Sequence, residues 1–445
     1  SPVVVRAAGP GTRRRVDGMG SRIAVVGTGY VGLTTGSCLA HLGHEVTCID
    51  TNQAKIDLIL SGVMPISEDG LAELVAEGRG AGRLRFTSNI EDGVAGAEFV
   101  LLCVPTPQAD DGSADLSFIE AAARSVSPHL APDTVIINKS TVPVGSTRVV
   151  ADAVGREDIH VVSNPEFLRE GHAVSDFLNP ERVVVGADSE EVAFRVAALH
   201  LRLSAPLLVT DPASAELIKY ASNAFLALKI SYVNAIAAVA ESVDADIDDV
   251  VKGLGLDGRI GAKFLQPGPG WGGSCLPKDT SALIRIAEDA DYDFTLLKDV
   301  VSVNRQQFER VVTKTEELLG GPVGGNRIAV WGLTFKAHTD DLRDSPSIEI
   351  VRRLLAAGAS VAAYDPEVEK GTAVLEGLEV LDDPYAACQG ADALVVLTEW
   401  PEFGRTDLDR VADALNAPRI VDTRNVVDRV ALERRGFAYR GIGRN

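Results

Sequence analysis

The sequence predicts an α/β protein: two Rossmann-like domains joined by a long central helix within a helical middle region. Three observations carry this. A short apolar strand runs into Gly27-Thr28-Gly29-Tyr30-Val31-Gly32, a second strand–glycine junction recurs at Arg327–Gly332, and an Ala-rich helical stretch lies between them. A length of 445 residues suits two or three domains, each with its own core. The expected segments are a leader over 1–18, a first domain over 19–210, a helical middle over 211–319 and a last domain over 320–445.

Hydrophobic content of 46% and charged content of 24% are those of an ordinary globular protein. The formal charge of −20 argues against non-specific binding to nucleic acid or a membrane surface. An anionic ligand would then need a local cluster of Lys and Arg. No apolar stretch of about 18 residues is read in the chain, so no membrane-spanning helix is expected. The cysteines (Cys38, Cys48, Cys103, Cys275, Cys388) are odd in number, scattered and without a CxxC pair. They suit a reducing cytoplasm and provide neither a disulfide framework nor metal-ligand spacing. Residues 1–18 hold Val3-Val4-Val5 and Arg13-Arg14-Arg15 ahead of Met19. That apolar run is too short for a secretory signal, so the segment reads as a structureless leader, an expression remnant or over-extended start.

Arg22–Val26 has the pattern of a buried strand, followed by the glycines, an apolar helix over Leu33–Leu42 ended by Gly43, and the strand Glu45–Ile49 closed by Asp50. Strand, GxGxxG, helix, strand and acid together form the dinucleotide fingerprint. Gly27 makes the tight turn, Gly29 admits the pyrophosphate and Gly32 permits close helix–strand packing. Asp50 accepts the ribose diol and repels a 2′-phosphate, which favours NAD over NADP. Further strands are read at Phe99–Val104, Thr134–Asn138, His160–Val162 and Arg182–Val185. They lead into Pro105-Thr106-Pro107, Ser140-Thr141-Val142-Pro143 and Asn164-Pro165-Glu166-Phe167-Leu168-Arg169-Glu170-Gly171, loops placed to line a cleft at the strands' carboxyl ends.

Asp211-Pro212 reads as an N-cap with proline in the first turn of a helix reaching about Val243. Lys219 and Asn223 share a face of that helix. The most telling residue is Cys275, in Gln266-Pro267-Gly268-Pro269-Gly270-Trp271-Gly272-Gly273-Ser274-Cys275-Leu276-Pro277-Lys278-Asp279. A glycine loop running into a helix with an early proline places the thiol at a helix N-terminus, where thiolate is favoured. The competing reading is a small buried hydrophobe. After the hinge Gly320–Asn326, strands at Arg327–Trp331, Ser360–Tyr364, Ala393–Leu397 and Arg419–Val421 form the last α/β unit. It lacks a full GxGxxG and so suits a different nucleotide. Lys336 and Arg343 provide positive charge for a diphosphate.

These motifs resemble the nucleotide-sugar dehydrogenase family, which oxidises a UDP- or GDP-sugar at C6 to a uronic acid. The resemblance runs from Met19 to about Arg424 and rests on the Gly27–Gly32 turn, Ser140–Pro143, Asn164–Gly171, Lys219–Leu226 and the Cys275 loop. Members acting on UDP-glucose are the nearest match, through Ser140–Thr147 and Glu170–Arg182. The Gly-Pro-Gly-Trp wording of the loop, and Gln266 where some relatives carry Lys, depart from their pattern.

The resemblance implies NAD-dependent, four-electron oxidation of UDP-glucose to UDP-glucuronate, with two NAD reduced per sugar. Cys275 would attack the intermediate aldehyde, giving a thiohemiacetal and then a thioester. Lys219 and Asn223 would stabilise the developing alkoxide, with Asp279, Thr141 and Glu166 handling protons. The implied cofactor positions are Gly27, Gly29, Tyr30, Val31, Gly32, Asp50, Lys55, Pro105, Thr106, Thr141, Glu170, Cys275 and Arg343. Those implied for the sugar nucleotide are Glu166, Phe167, Leu168, Arg169, Lys219, Asn223, Arg259, Phe264, Gly272, Cys275, Phe335, Lys336 and Arg424. Arg259 would reach the partner's site in a homodimer built on the central helix. GDP-mannose or UDP-N-acetylmannosamine would use the same thiol. A single-hydride dehydrogenase of the 6-phosphogluconate or β-hydroxyacid type would need neither Cys275 nor the last domain.

Overall fold

The computed structural model describes residues 3–5, 20–109 and 112–444. It divides into two compact units, Ser1–Ser222 and Asn223–Asn445, the division falling inside the helix Pro212–Ser242.

The first unit is built on one sheet. Its strands are β1 Val3–Val5, β2 Arg22–Val26, β3 Glu45–Ile49, β4 Leu84–Thr87, β5 Phe99–Leu102, β6 Val135–Asn138, β7 His160–Ser163, β8 Val183–Gly186 and β9 Leu207–Thr210, in the order β1-β9-β8-β7-β6-β5-β2-β3-β4. From β4 to β7 every pairing is parallel; β8 runs antiparallel to β7. The six parallel strands have the doubly wound order, with the switch point between β2 and β5. β2, β5 and β6 are nearly continuous apolar runs because helices cover both faces: Val25, Leu101 and Ile137 join one core, Ala24, Val100 and Ile136 the other.

The second unit carries a six-stranded parallel sheet: β10 Arg327–Trp331, β11 Ser360–Tyr364, β12 Leu378–Leu381, β13 Ala393–Val396, β14 Arg419–Asp422 and β15 Ala438–Gly441, ordered β12-β11-β10-β13-β14-β15. This is the same doubly wound order. Both units also repeat one turn: Gly27 follows β2 and Gly332 follows β10, with φ of 97° and 93°, and each donates its N–H to the end of the neighbouring strand at 2.8 Å.

Two expectations differ from the structure. Val3–Val5, expected to be structureless, pairs antiparallel with Leu207–Val209, a β-branched run completing an open sheet edge. The other leader residues lie outside the described residues. In the second unit Ala237, Ala240, Val311 and Val312 of the helical middle join the core of Ile328, Val330 and Val395. Finally, the helix Pro212–Ser242 is, among the described residues, one helix long and apolar enough to cross a membrane by length and composition. It buries Glu216, Lys219, Asn223 and Asn234, each hydrogen-bonded within the protein, which is the pattern of a core helix.

Candidate active site

The three fingerprint glycines separate by function. A Cβ on Gly27 would stand 2.5 Å from the Cys103 carbonyl oxygen, and one on Gly32 1.9 Å from the Gly27 carbonyl oxygen, whereas nothing lies within 4 Å at Gly29. Two glycines are therefore needed for packing, and the third opens onto free space. Gly29 is also the N-cap of the helix Tyr30–His41, where no side chain caps the free N–H groups. This is the geometry that receives a pyrophosphate. Asp50 accepts from the Thr28 N–H and hydroxyl at 3.0 and 2.7 Å, from Asn52 N–H at 3.0 Å, and pairs with Lys55 at 3.2 Å. Burial raises its pKa, but these donors outweigh burial and hold the carboxyl below its ordinary value. The residues present thus fit a dinucleotide with a free ribose diol. Tyr30 and Val31, both half-buried, follow Gly29, and the Tyr30 hydroxyl donates to Glu68 at 3.2 Å. Thr106, beside Pro105, donates to the Thr141 carbonyl at 2.9 Å, which ties the loops after β5 and β6 together.

The next loop holds a buried ion pair. Lys219 Nζ donates to Glu166 Oε1 at 2.9 Å and to the Glu166 carbonyl at 2.7 Å, while Leu168 N–H donates to Glu166 Oε2 at 2.6 Å. Burial pushes the Glu166 pKa up; Lys219, the Leu168 N–H and Lys139 overcome it, and the carboxylate stays ionised. Phe167 lies under the Arg182 guanidinium, 3.8 Å from the ring centroid. Arg169 pairs with Asp176 at 2.7 Å, and Glu170 is half-buried.

Two residues of this region were missed in the sequence. Lys139, buried at the end of β6, donates to Asn164 Oδ1 at 3.1 Å, and burial pulls its pKa down to about 8. Glu216 accepts from the Gly145 and Thr147 N–H groups and from the Thr147 hydroxyl at 2.6–2.8 Å. The signal for Glu216 was an acid in an apolar helix three residues before Lys219.

In the second unit Cys275 is the N-cap of the helix Leu276–Asp289, with Pro277 in its first turn. All five cysteines are free, and Cys275 alone is partly exposed. Burial pushes the thiols of Cys38, Cys103 and Cys388 up to about 12 and that of Cys48 higher still. One turn after Cys275, the buried Asp279 accepts from Asn223 Nδ2 at 2.6 Å and pairs with Lys278 at 2.6 Å.

The structure also brings Phe335 and Arg424 to the glycine loop. A Cβ on Gly273 would meet the Phe335 ring at 2.8 Å, and one on Gly268 the Arg424 guanidinium at 3.1 Å. Gly272 is packed so closely that its Cβ would sit 1.9 Å from the Asp344 carbonyl oxygen. Arg424 donates to the Leu397 and Phe335 carbonyls at 3.0 and 3.2 Å. Lys336 and Phe264 are half-buried, Phe264 in left-handed backbone at φ 63°. Arg259 and Arg343 are exposed, each paired at 2.6 Å with a carboxylate two residues earlier, Asp257 and Asp341.

Three family models match the chain in succession: the NAD binding domain of the UDP-glucose/GDP-mannose dehydrogenase family over residues 21–204, its central domain over 213–306 and its UDP binding domain over 329–429. A UDP-glucose 6-dehydrogenase of Rhizobium meliloti is 46% identical, covering 95% of this chain and 99% of its own. Among solved structures, a UDP-glucose dehydrogenase from Pyrobaculum islandicum superposes with a TM-score of 0.90 at 38% identity, covering 98% of this chain and 100% of that one. A UDP-D-ManNAc dehydrogenase from Pyrococcus horikoshii gives 0.85 at 29% identity, covering 95% and 99%.

Proposed function

The chain belongs to the UDP-glucose/GDP-mannose dehydrogenase family, and on that premise we propose that it oxidises UDP-glucose at C6 to UDP-glucuronate. The observation that carries the chemistry is Cys275: one partly exposed thiol among five, at a helix start, with Asp279 one turn on. The greater likeness to UDP-glucose enzymes than to the UDP-D-ManNAc enzyme supports glucose as the sugar.

Gly27, Gly29, Gly32 and Asp50 would hold the NAD, with Tyr30, Val31, Lys55, Pro105, Thr106, Thr141, Glu170 and Arg343 as further contacts. When bound, NAD takes up two electrons as hydride, so the four-electron change from alcohol to acid consumes two NAD per sugar. Lys219 and Asn223 are the donors to oxygen as negative charge develops on it. The Cys275 sulfur adds to the aldehyde carbon, and its proton leaves as the C–S bond forms. Oxidation of that thiohemiacetal gives a thioester. Water then attacks the carbonyl, sulfur departs as thiolate, and the acid is released. Glu166, kept ionised by Lys219, is the base for that water, and Asp279 and Thr141 complete the proton-handling group. Phe167, Leu168, Arg169, Phe264, Gly272, Phe335, Lys336 and Arg424 are the proposed sugar-nucleotide contacts.

We also propose a homodimer with Arg259 reaching the partner's site. Leu217, Phe225, Tyr232 and Val239 are exposed at spacings of eight, seven and seven along the helix Pro212–Ser242, forming one unpaired apolar stripe. The decisive assay counts NADH per sugar across UDP-glucose, GDP-mannose and UDP-N-acetylmannosamine. Two NADH per UDP-glucose is expected; one per sugar, or turnover of GDP-mannose alone, overturns the assignment. Cys275→Ala should lose uronate formation and keep NAD affinity within about twofold.

A further inference from the structure

The loop that presents Cys275 is clamped by carboxamides from two helices. Asn304, on the helix Thr295–Leu319, pairs with Trp271 through two bonds: Oδ1 accepts from the Trp271 N–H at 2.8 Å, and Nδ2 donates to the Trp271 carbonyl at 2.9 Å. One turn further, Gln307 Nε2 donates to the Gly268 carbonyl at 2.7 Å, and Asn234 accepts from the Gly268 N–H at 2.8 Å. The Trp271 indole N–H donates to Ser231 at 2.8 Å, whose hydroxyl donates on to the Val300 carbonyl at 2.9 Å. All four side chains are buried, as are Pro267 to Gly273.

A buried loop without secondary structure must find partners for its backbone groups. A carboxamide serves because it donates and accepts at once, so one side chain can fix both the N–H and the carbonyl of a residue. The fit is close. A Cβ on Gly270 would come 2.8 Å from Asn304 Oδ1 and 2.6 Å from the Phe308 ring. Further along the same loop, Gly273 N–H donates to the Asp344 carbonyl at 3.3 Å. The loop is thereby fixed at Gly268, Trp271 and Gly273, and Cys275 is two residues beyond the last of these.

We propose that Asn304 and Gln307 are positioning residues that set the backbone of the glycine loop and so place the Cys275 sulfur for attack on the aldehyde. The inference rests on the assignment of Cys275 as nucleophile. It makes a prediction that a purely structural role does not. Loosening the clamp should impair the step that needs sulfur and spare the first oxidation, which does not.

Asn304→Asp keeps the shape and the acceptor but turns an oxygen toward the Trp271 carbonyl in place of the N–H donor. Two half-reactions are measured on the purified full chain: the first oxidation of UDP-glucose with the aldehyde trapped by a hydrazine, and NAD-dependent oxidation of the supplied aldehyde. For Asn304→Asp the second is expected to fall about tenfold or more and the first to stay within about twofold, in keeping with the cost of displacing a reacting group by an ångström. Equal losses in both half-reactions, or no loss in either, overturn the proposal. Gln307→Met, which removes one donor and keeps the volume, is the second variant, with the same split expected at about threefold. If Asn304→Asp does not fold, Gln307→Met decides alone. Failure of the underlying assignment looks different: wild-type protein would then not oxidise the supplied aldehyde.

Discussion

Lys139 shows how much one side chain can carry at this site. It is buried at the end of β6, hydrogen-bonded to Asn164 and close enough to Glu166 for its charge to help keep that carboxylate ionised. Burial is the largest influence on it and draws its pKa from 10.5 down to about 8; Glu166 pulls the other way. Between those two values the unfolded chain holds a proton that the native chain lacks, so the stability linked to Lys139 rises with pH across that window. Its cost is fully present below pH 8. Lys139→Met removes the titration. Urea unfolding at pH 7 and pH 10 should therefore show the variant's stability relative to wild type falling between the two, by about 1–3 kcal/mol. A difference that is flat across the window rules this out. The same residue predicts a bend near pH 8 in kcat/KM that the variant lacks.

At the scale of elements, glycine spacing and helix caps join sequence to site. Gly29→Ala meets open space, whereas Gly32→Ala drives a methyl into the Gly27 carbonyl. Thermal melts with NAD titrations should separate them: Gly29→Ala keeps its melting temperature within about 2 °C while NAD binds about tenfold more weakly, and Gly32→Ala loses stability as well. Glu216 is a different kind of cap. Gly145 stands in left-handed backbone at the start of the helix Ser146–Val154 with no side chain to offer, and Glu216 supplies the acceptor from another helix. Glu216→Ala leaves the buried Thr147 N–H without its acceptor and should cost about 1–3 kcal/mol in urea unfolding at unchanged m; a loss below about 0.5 kcal/mol sinks the capping role. These elements also mark what the sequence could disclose. The GxGxxG turn, the Asp211-Pro212 helix start and the Cys275–Asp279 turn are local patterns, and each is legible. Glu216 and Gly145 are 71 residues apart, and Lys139 and Asn164 are 25 apart, so no local spacing announces either pair. Strands β4, β9, β12 and β15 were missed for another reason: four residues with a polar member do not stand out from a loop.

In the whole molecule, the repeated doubly wound order makes the differences between the halves informative. Asp365 ends β11 as Asp50 ends β3, but it is buried and already accepts from Leu333 N–H, Thr334 N–H and hydroxyl, and Trp400 Nε1. Asp365 is thus buried where Asp50 is half-buried, which fits a chain with one dinucleotide site and a second half given to another ligand. The remaining question of scale is assembly. A stripe holding Phe225, Tyr232 and Val239, each more than half exposed, is costly in water, and the proposed dimer would cover it with its own copy in a two-fold arrangement. Phe225→Glu with Tyr232→Glu puts like charges across that seam. Sedimentation at micromolar concentration should give twice the 47.0 kDa chain mass for wild type and a single chain for the double variant. If Arg259 completes the neighbouring site, the dissociated variant should lose UDP-glucose affinity to the same extent as Arg259→Ala, with NAD affinity changed in neither. A wild-type protein that sediments as a single chain removes the dimer. A dimer in which Arg259→Ala weakens NAD and UDP-glucose equally keeps the assembly but removes the shared site.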